Sequence, residues 1–318
     1  PPRSNPGKEF RSTRDESLSA SLMRSFTLSA ITGLCRAYLS TCDVNIEGLE
    51  TFHTILQQSR EPLPSSTTAS STSTAAFQGR PVLTVCNHMS TIDDPIILSR
   101  LAPVSAYTNH PERHRWGGCS EEICFKHPLL ASFMGSGKVL PIWRGGGLKQ
   151  EMFEELAAHV VPGAWVHLFP EGCIGQRHLN RSDVPERRRT YMRWGVGKMI
   201  AKAKVRPVIV PFYHDGMEQA LPLHAETGAT VRFIPKTGVT INVVFGTPIE
   251  VEDLMEAFVK AHGREELDLP WNHDDSDHVL KLYSKIALRV QEKMQELDHR
   301  PEWDVIYPVE GEGDAYLK

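Results

Sequence analysis

The sequence is short of basic charge. Its 35 Lys and Arg are outnumbered by 39 Asp and Glu, for a formal charge of −4. A dedicated nucleic-acid binder usually carries the opposite bias, so no nucleic-acid partner is expected. There is no charge-free apolar run of about 18 residues, which argues against a bilayer-spanning helix and leaves surface attachment open. G-x-S-x-G, H-E-x-x-H, G-x4-G-K-[ST] and G-x-G-x-x-G are all missing. A hydrolase serine, a zincin centre, a P-loop and a dinucleotide-binding turn therefore have no obvious home. Cysteine is sparse, with Cys35, Cys42, Cys86, Cys119, Cys124 and Cys173 scattered through 318 residues. A chain of this size has core enough without staples, so reduced thiols are expected. The spacing of His110, His114, Cys119 and Cys124 fits no standard zinc site, and no metal is expected.

What is present points to an α/β protein. Residues 1–16 mix Arg3, Lys8, Arg11 and Arg14 with Glu9, Asp15 and Glu16, acids that weaken a transit-peptide reading; a flexible N-terminus is expected. Over 17–45, Leu22, Met23, Phe26, Ala30, Ile31, Leu34 and Tyr38 recur at helical spacing, interrupted by Arg24 and Arg36. The spacing predicts an amphipathic helix, lying at a membrane interface or against the core. The Ser/Thr-rich stretch 59–80 has too little apolar surface to offset its ordering entropy and reads as a disordered insertion. From residue 81, apolar β-branched runs at 81–86, 138–143, 164–169, 206–213 and 238–246 alternate with helical patterns. These predict a mainly parallel or mixed central sheet flanked by helices, within one domain over 46–300 followed by a tail at 301–318. Asp94-Pro95 reads as a helix start. Ten Lys/Arg lie between Arg177 and Arg206, and ten acids lie between Glu250 and Asp277. The basic block suggests an anionic partner or a solvated helix face.

Four places carry candidate chemistry. Asn87-His88-Met89-Ser90-Thr91-Ile92-Asp93 follows one predicted strand. On a regular helix His88 and Asp93 would be about 140° apart, but in a loop they can fold together. A carboxylate on one imidazole nitrogen raises the basicity of the other, making His88 a candidate general base oriented by Asp93. Arg144-Gly145-Gly146-Gly147, between a strand and a helix, resembles a phosphate seat. Phe169-Pro170-Glu171-Gly172 leaves another strand, where Glu171 could bind a substrate hydroxyl or hold Arg144. Val210-Pro211-Phe212-Tyr213-His214 ends a fourth and by itself reads as core packing. With no protein nucleophile apparent, a His–Asp pair suits direct acyl transfer to a substrate hydroxyl.

Together these blocks resemble those of glycerophospholipid acyltransferases, over about residues 20–300 outside the Ser/Thr insertion. Cys124-Phe125-Lys126, Gly137-Lys138, Trp165-Val166-His167-Leu168-Phe169-Pro170-Glu171-Gly172, Arg193-Trp194-Gly195-Val196-Gly197-Lys198 and His214-Asp215-Gly216-Met217 are similar to the phospholipid–lysophospholipid transacylases within that family. Glu171-Gly172 is followed by Cys173-Ile174-Gly175 rather than a small hydroxyl residue and Arg, which disfavours lysophosphatidic acid as acceptor.

The resemblance implies a glycerophospholipid acyltransferase-like fold with His88 and Asp93 catalytic. It implies substrate contacts through Asn87, Ser90, Arg144, Gly145, Gly146, Phe169, Pro170, Glu171 and Gly172. It further implies acyl exchange between phospholipids and lysophospholipids, remodelling cardiolipin from monolysocardiolipin, without coenzyme A or another cofactor. The implied location is a mitochondrial membrane facing the intermembrane space, with about 122–143 embedded in one leaflet. Alternatives are an acyl-CoA-dependent acyltransferase, a lipase-like hydrolase and a non-catalytic peripheral lipid binder. Homo-oligomerisation is left open.

Overall fold

The computed structural model describes residues 18–62, 77–101, 109–176, 192–224 and 226–298. The chain begins with helix α1 (Leu18–Leu39), strand β1 (Asp43–Glu47) and helix α2 (Leu49–Ser59), then β2 (Val82–Cys86) and α3 (Asp93–Leu101). There follow β3 (Gly117–Ser120), α4 (Glu121–Cys124), α5 (Pro128–Ser136), β4 (Val139–Ile142), α6 (Glu151–Ala158) and β5 (Trp165–Leu168). The remainder is α7 (Gly195–Lys202), β6 (Val208–Asp215), α8 (Met217–Ala220), β7 (Thr240–Phe245), α9 (Glu252–His262), α10 (Glu265–Asp268) and α11 (Asp277–Gln295).

Five strands form one sheet in the order β1-β7-β6-β2-β5. Every neighbouring pair is parallel except β6 with β7. All of β2 is buried, so both of its faces are covered, as its unbroken apolar run requires. Because β2, β5 and β6 run parallel, their carboxyl ends share one edge. Asn87-His88 leaves β2 there, Phe169-Pro170 leaves β5, and His214 lies near the end of β6. That edge is where open α/β sheets carry ligands. Register continued from Cys86↔Phe212 sets His88 alongside His214.

Several details differ from the sequence expectations. The strand at 138–143 does not enter the five-stranded sheet: β4 pairs with β3, and Trp116 joins that pair to β5 through a bridge to Val166. Helix α3 starts at Asp93, one residue before the expected Asp94 cap, and Asp94 instead receives Arg115 at 2.5 Å. Helix α6 begins at Glu151, several residues beyond the glycine run. Cys119 and Cys124 are joined in a disulfide, so the expectation of reduced thiols holds only for Cys35, Cys42, Cys86 and Cys173. Among the described residues no cluster of His, Cys, Asp and Glu could hold a metal.

Of the two settings expected for the apolar face of α1, the helix does not turn it against the core. Its outward stripe of Leu22, Met23, Phe26, Ala30, Gly33, Leu34 and Ala37 carries no charge. The arginines turn inward. Arg24 Nη1 reaches Gly135 O at 3.4 Å and its guanidinium lies over Trp116, while Arg36 Nε donates to Ser99 O at 3.1 Å.

The basic block is also different. Residues 177–191 lie outside the described residues, and three later members brace the interior. Lys198 is wholly buried, with Nζ 2.9 Å from Asp275 Oδ2 and 2.8 Å from Trp271 O. Lys202 donates to Leu267 O and Leu269 O, and Arg206 to Ile200 O. Lys198 and Lys202 serve the acidic C-terminal segment, and Arg206 serves the end of α7. Close helix contact makes this arrangement demanding: a Cβ on Gly197 would lie 2.1 Å from Tyr283 O.

Breaking a buried ion pair by removing one partner typically costs about 3–5 kcal/mol, because the other charge stays buried. Asp275→Ala should therefore lower unfolding free energy in urea by about that amount. Adding Lys198→Met should recover much of the loss; a silent Asp275→Ala would contradict the internal role given to the pair.

Candidate active site

The turn from β2 into α3 is built around the Asp93 carboxylate. Its side chain is wholly buried. Oδ2 accepts the backbone N–H of Met89 at 2.6 Å and of Ser90 at 2.8 Å, a local pattern that folds residues 89–93 back on the helix start. The same oxygen lies 2.9 Å from His88 Nδ1. With a carboxylate facing Nδ1, that nitrogen carries the proton and Nε2 keeps a lone pair. Nε2 has no hydrogen-bond partner among the described residues, and the His88 side chain is 21% exposed. Phe169 stacks on the His88 ring at 4.1 Å between centroids, limiting its rotation.

His214 joins the group from β6. Its Nε2 lies 3.0 Å from Asn87 O and 3.6 Å from Asp93 Oδ2. Two acceptors on one side place the proton on Nε2. Asn87 Nδ2 donates to His214 O at 2.8 Å, and His214 N donates to Asn87 Oδ1 at 2.9 Å. The paired contacts lock the start of the His88 loop to β6. Gln176 adds a second clamp: its Nε2 donates to Met89 O and Leu221 O, and its Oε1 accepts Leu223 N. Gly175 N donates to His88 O at 2.7 Å. Beneath the site, His167 packs between Thr84 Oγ1 and Cys86 Sγ, against Phe212 and Phe169.

The sequence candidates divide. His88, Asp93 and Phe169 come together. Glu171 is close to them, since a Cβ on Gly175 would meet both Glu171 Oε2 and His88 O. Pro170 O and Glu171 O accept Arg193 N and Nε, and Gly172 adopts φ +68 beside the Arg193 side chain. Asn87 and Ser90, expected to face substrate, are buried at 4% and 0% exposure and hold the loop instead. Arg144 follows β4, which pairs with β3 and lies outside the five-stranded sheet that carries His88. It pairs with Glu122 at 3.2 Å rather than with Glu171. Gly145 and Gly146 follow it in the turn before α6, with Gly146 against Trp143 and Gln150. His214 was read as core packing at a strand end, and Gln176 was missed, because both roles depend on sheet order.

Chemically, the arrangement offers one basic nitrogen at the carboxyl edge. Among the described residues no hydroxyl or thiol is bonded to His88 Nε2. The Met89 and Ser90 amides are committed to Asp93 and cannot also serve an oxyanion.

Residues 44–215 match the acyltransferase family model. The N-acylphosphatidylethanolamine synthase of Arabidopsis thaliana is 37% identical over 174 residues, 55% of this chain and 57% of that protein. The chain thus spans little more than half of that relative's length. Tafazzin of Saccharomyces cerevisiae is 27% identical over 307 residues, covering 85% of this chain and 74% of its own. A solved structure titled as the 1-acyl-sn-glycerophosphate acyltransferase PlsC of Thermotoga maritima superposes with a TM-score of 0.44 at 16% identity, covering 87% and 82% of the two chains.

Burial keeps several histidines neutral. It pushes His167 and His114 well below the ordinary imidazole value, lowers His214 against the opposing pull of Asp93, and brings His159 to about 4. The unfolded chain protonates these groups near pH 6.5, whereas the folded chain resists until lower pH. Stability should therefore fall as pH drops below about 6.5, by up to about 1.4 kcal/mol per pH unit for each histidine still neutral in the fold. Urea midpoints at pH 7.5, 6.5 and 5.5 measure this, and a midpoint that rises on acidification would contradict it.

Proposed function

This chain belongs to the acyltransferase family, and on that premise we propose that it moves an acyl chain between a phospholipid and a lysophospholipid, as a tafazzin-like transacylase. The observation that carries the reading is a histidine with Nδ1 bound to a buried carboxylate and, among the described residues, no hydroxyl or thiol bonded to Nε2. His88 Nε2 takes the proton from the lysophospholipid hydroxyl as that oxygen attacks the donor's ester carbonyl. The tetrahedral adduct collapses, the donor's glycerol C–O bond is not cut but its acyl C–O bond is, and His88 returns the proton to the departing oxygen. One ester is exchanged for another, so no thioester driving force and no coenzyme A is required. The likeness to tafazzin supports cardiolipin and monolysocardiolipin as product and acceptor, and a mitochondrial membrane facing the intermembrane space as the location.

No helix among the described residues is long and apolar enough to cross a membrane. The uncharged outer stripe of α1, with Leu22, Phe26 and Leu34 each more than 60% exposed, supports attachment at a bilayer surface. Leu129, Phe133 and Trp143, also exposed and within the 122–143 segment, extend that support. The plant relative favours a second reading, in which the acceptor is the amine of phosphatidylethanolamine.

The test uses purified protein without coenzyme A, phosphatidylcholine bearing a labelled acyl chain, and either monolysocardiolipin or phosphatidylethanolamine. Label should appear in cardiolipin, and His88→Ala should slow transfer by about 10²–10⁴ or more. Label in N-acylphosphatidylethanolamine instead selects the second reading. Transfer that needs acyl-CoA, or that survives His88→Ala unchanged, overturns the proposal.

A further inference from the structure

The segment between β6 and β7 holds out an apolar tip that the acyl-transfer chemistry does not use. Val231, Phe233 and Ile234 are 59%, 98% and 79% exposed. The tip is braced at its base: Val231 N donates to Pro222 O, Leu223 bridges to Thr230, and Lys236 N donates to Ala220 O. Backbone pairing thus holds these side chains away from the core. Arg232 and Lys236, both exposed, bracket Phe233-Ile234, and no acid lies between Thr227 and Ile249.

Two connections give the tip its setting. Tyr38 Oη donates to Lys236 O at 2.8 Å, tying the loop to the C-terminal end of α1. Leu34, one turn before Tyr38 and 74% exposed, continues the apolar surface along that helix. At the loop's root, the Gln176 amide bridges Leu221 O and Leu223 N to Met89 O of the His88 loop.

We infer that residues 231–236 are a bilayer-insertion loop, which seats Phe233 and Ile234 among the acyl chains while Arg232 and Lys236 meet anionic phospholipid headgroups. Apolar side chains flanked by cations match both layers of such a surface, and the surface is continuous with the uncharged face of α1. The Gln176 bridge would then bring the His88 loop to the membrane, so that a lipid reaches it without crossing open water. The inference rests on the lipid-transfer reading for its purpose but is tested by binding.

The full chain is mixed with sucrose-loaded vesicles of phosphatidylcholine, with and without an anionic phospholipid, and sedimented. Phe233→Asp with Ile234→Asp should weaken binding by about tenfold or more, the loss expected from one buried aromatic side chain, with thermal melting unchanged. Arg232→Glu should weaken binding to anionic vesicles and leave neutral ones nearly unaffected. Phe233→Trp should gain fluorescence quenching by bromine-labelled acyl chains over the wild-type chain. Acyl transfer on detergent-dispersed short-chain lipids should persist in all three variants. Binding unchanged by the double substitution, no added quenching, or self-association that the substitution abolishes while vesicle binding stays, would each overturn the inference. Absent transfer in detergent by the wild-type chain would sink the functional reading and leave the binding result to stand by itself.

Discussion

The Asp93 carboxylate is the constraint around which the candidate site is arranged. A carboxylate shut away from water needs partners, and Oδ2 gathers two backbone amides and two imidazoles. The Oδ2 contacts fix the turn out of β2, the first residue of α3 and the tautomer of His88. They also draw β6 into the site, because His214 can approach only if β6 lies beside β2. The double hydrogen bond between Asn87 and the His214 backbone holds that approach in register. The His88 loop is thus held by the sheet as well as by its own turn.

A division of labour follows from the topology. The candidate site lies at the carboxyl ends of β2, β5 and β6, on strands whose side chains are almost wholly buried. Exposed apolar groups are instead carried by α1, α5 and the loop before β7, the elements proposed to meet lipid. In α1 this reverses the usual order, with Arg24 and Arg36 spent on carbonyls inside and leucine and phenylalanine outside. Such a helix is poorly suited to water and well suited to an interface.

What was legible in the sequence was local. The apolar run at 81–86 gave a buried strand, and five-residue spacing brought His88 to Asp93 because both belong to one turn. The order of strand and helix after residue 81 gave the α/β class. What was hidden depends on partners distant in the chain. His214 looks like the end of a core strand until β6 is placed next to β2, 127 residues from Asn87. Asn87 and Ser90 were expected to face substrate because the family resemblance implied it; their burial shows that the turn itself uses them. Lys198 and Lys202 read as part of a basic surface until the acidic segment folds over them. Arg144 was drawn toward the site by a strand–glycine–helix pattern that belongs to β4, at the far side of β5.

The central claim is that Asp93 makes His88 a base by holding Nδ1–H and leaving Nε2 free. Asp93→Asn keeps the size of the side chain and an acceptor for the Met89 and Ser90 amides, while removing the charge that orients and stabilises the imidazole. Acyl transfer by this variant is the most direct measurement, read beside its thermal melt. The account predicts a loss of about 10²–10⁴ in rate with the fold retained. A rate within a few-fold of the wild-type chain would contradict it.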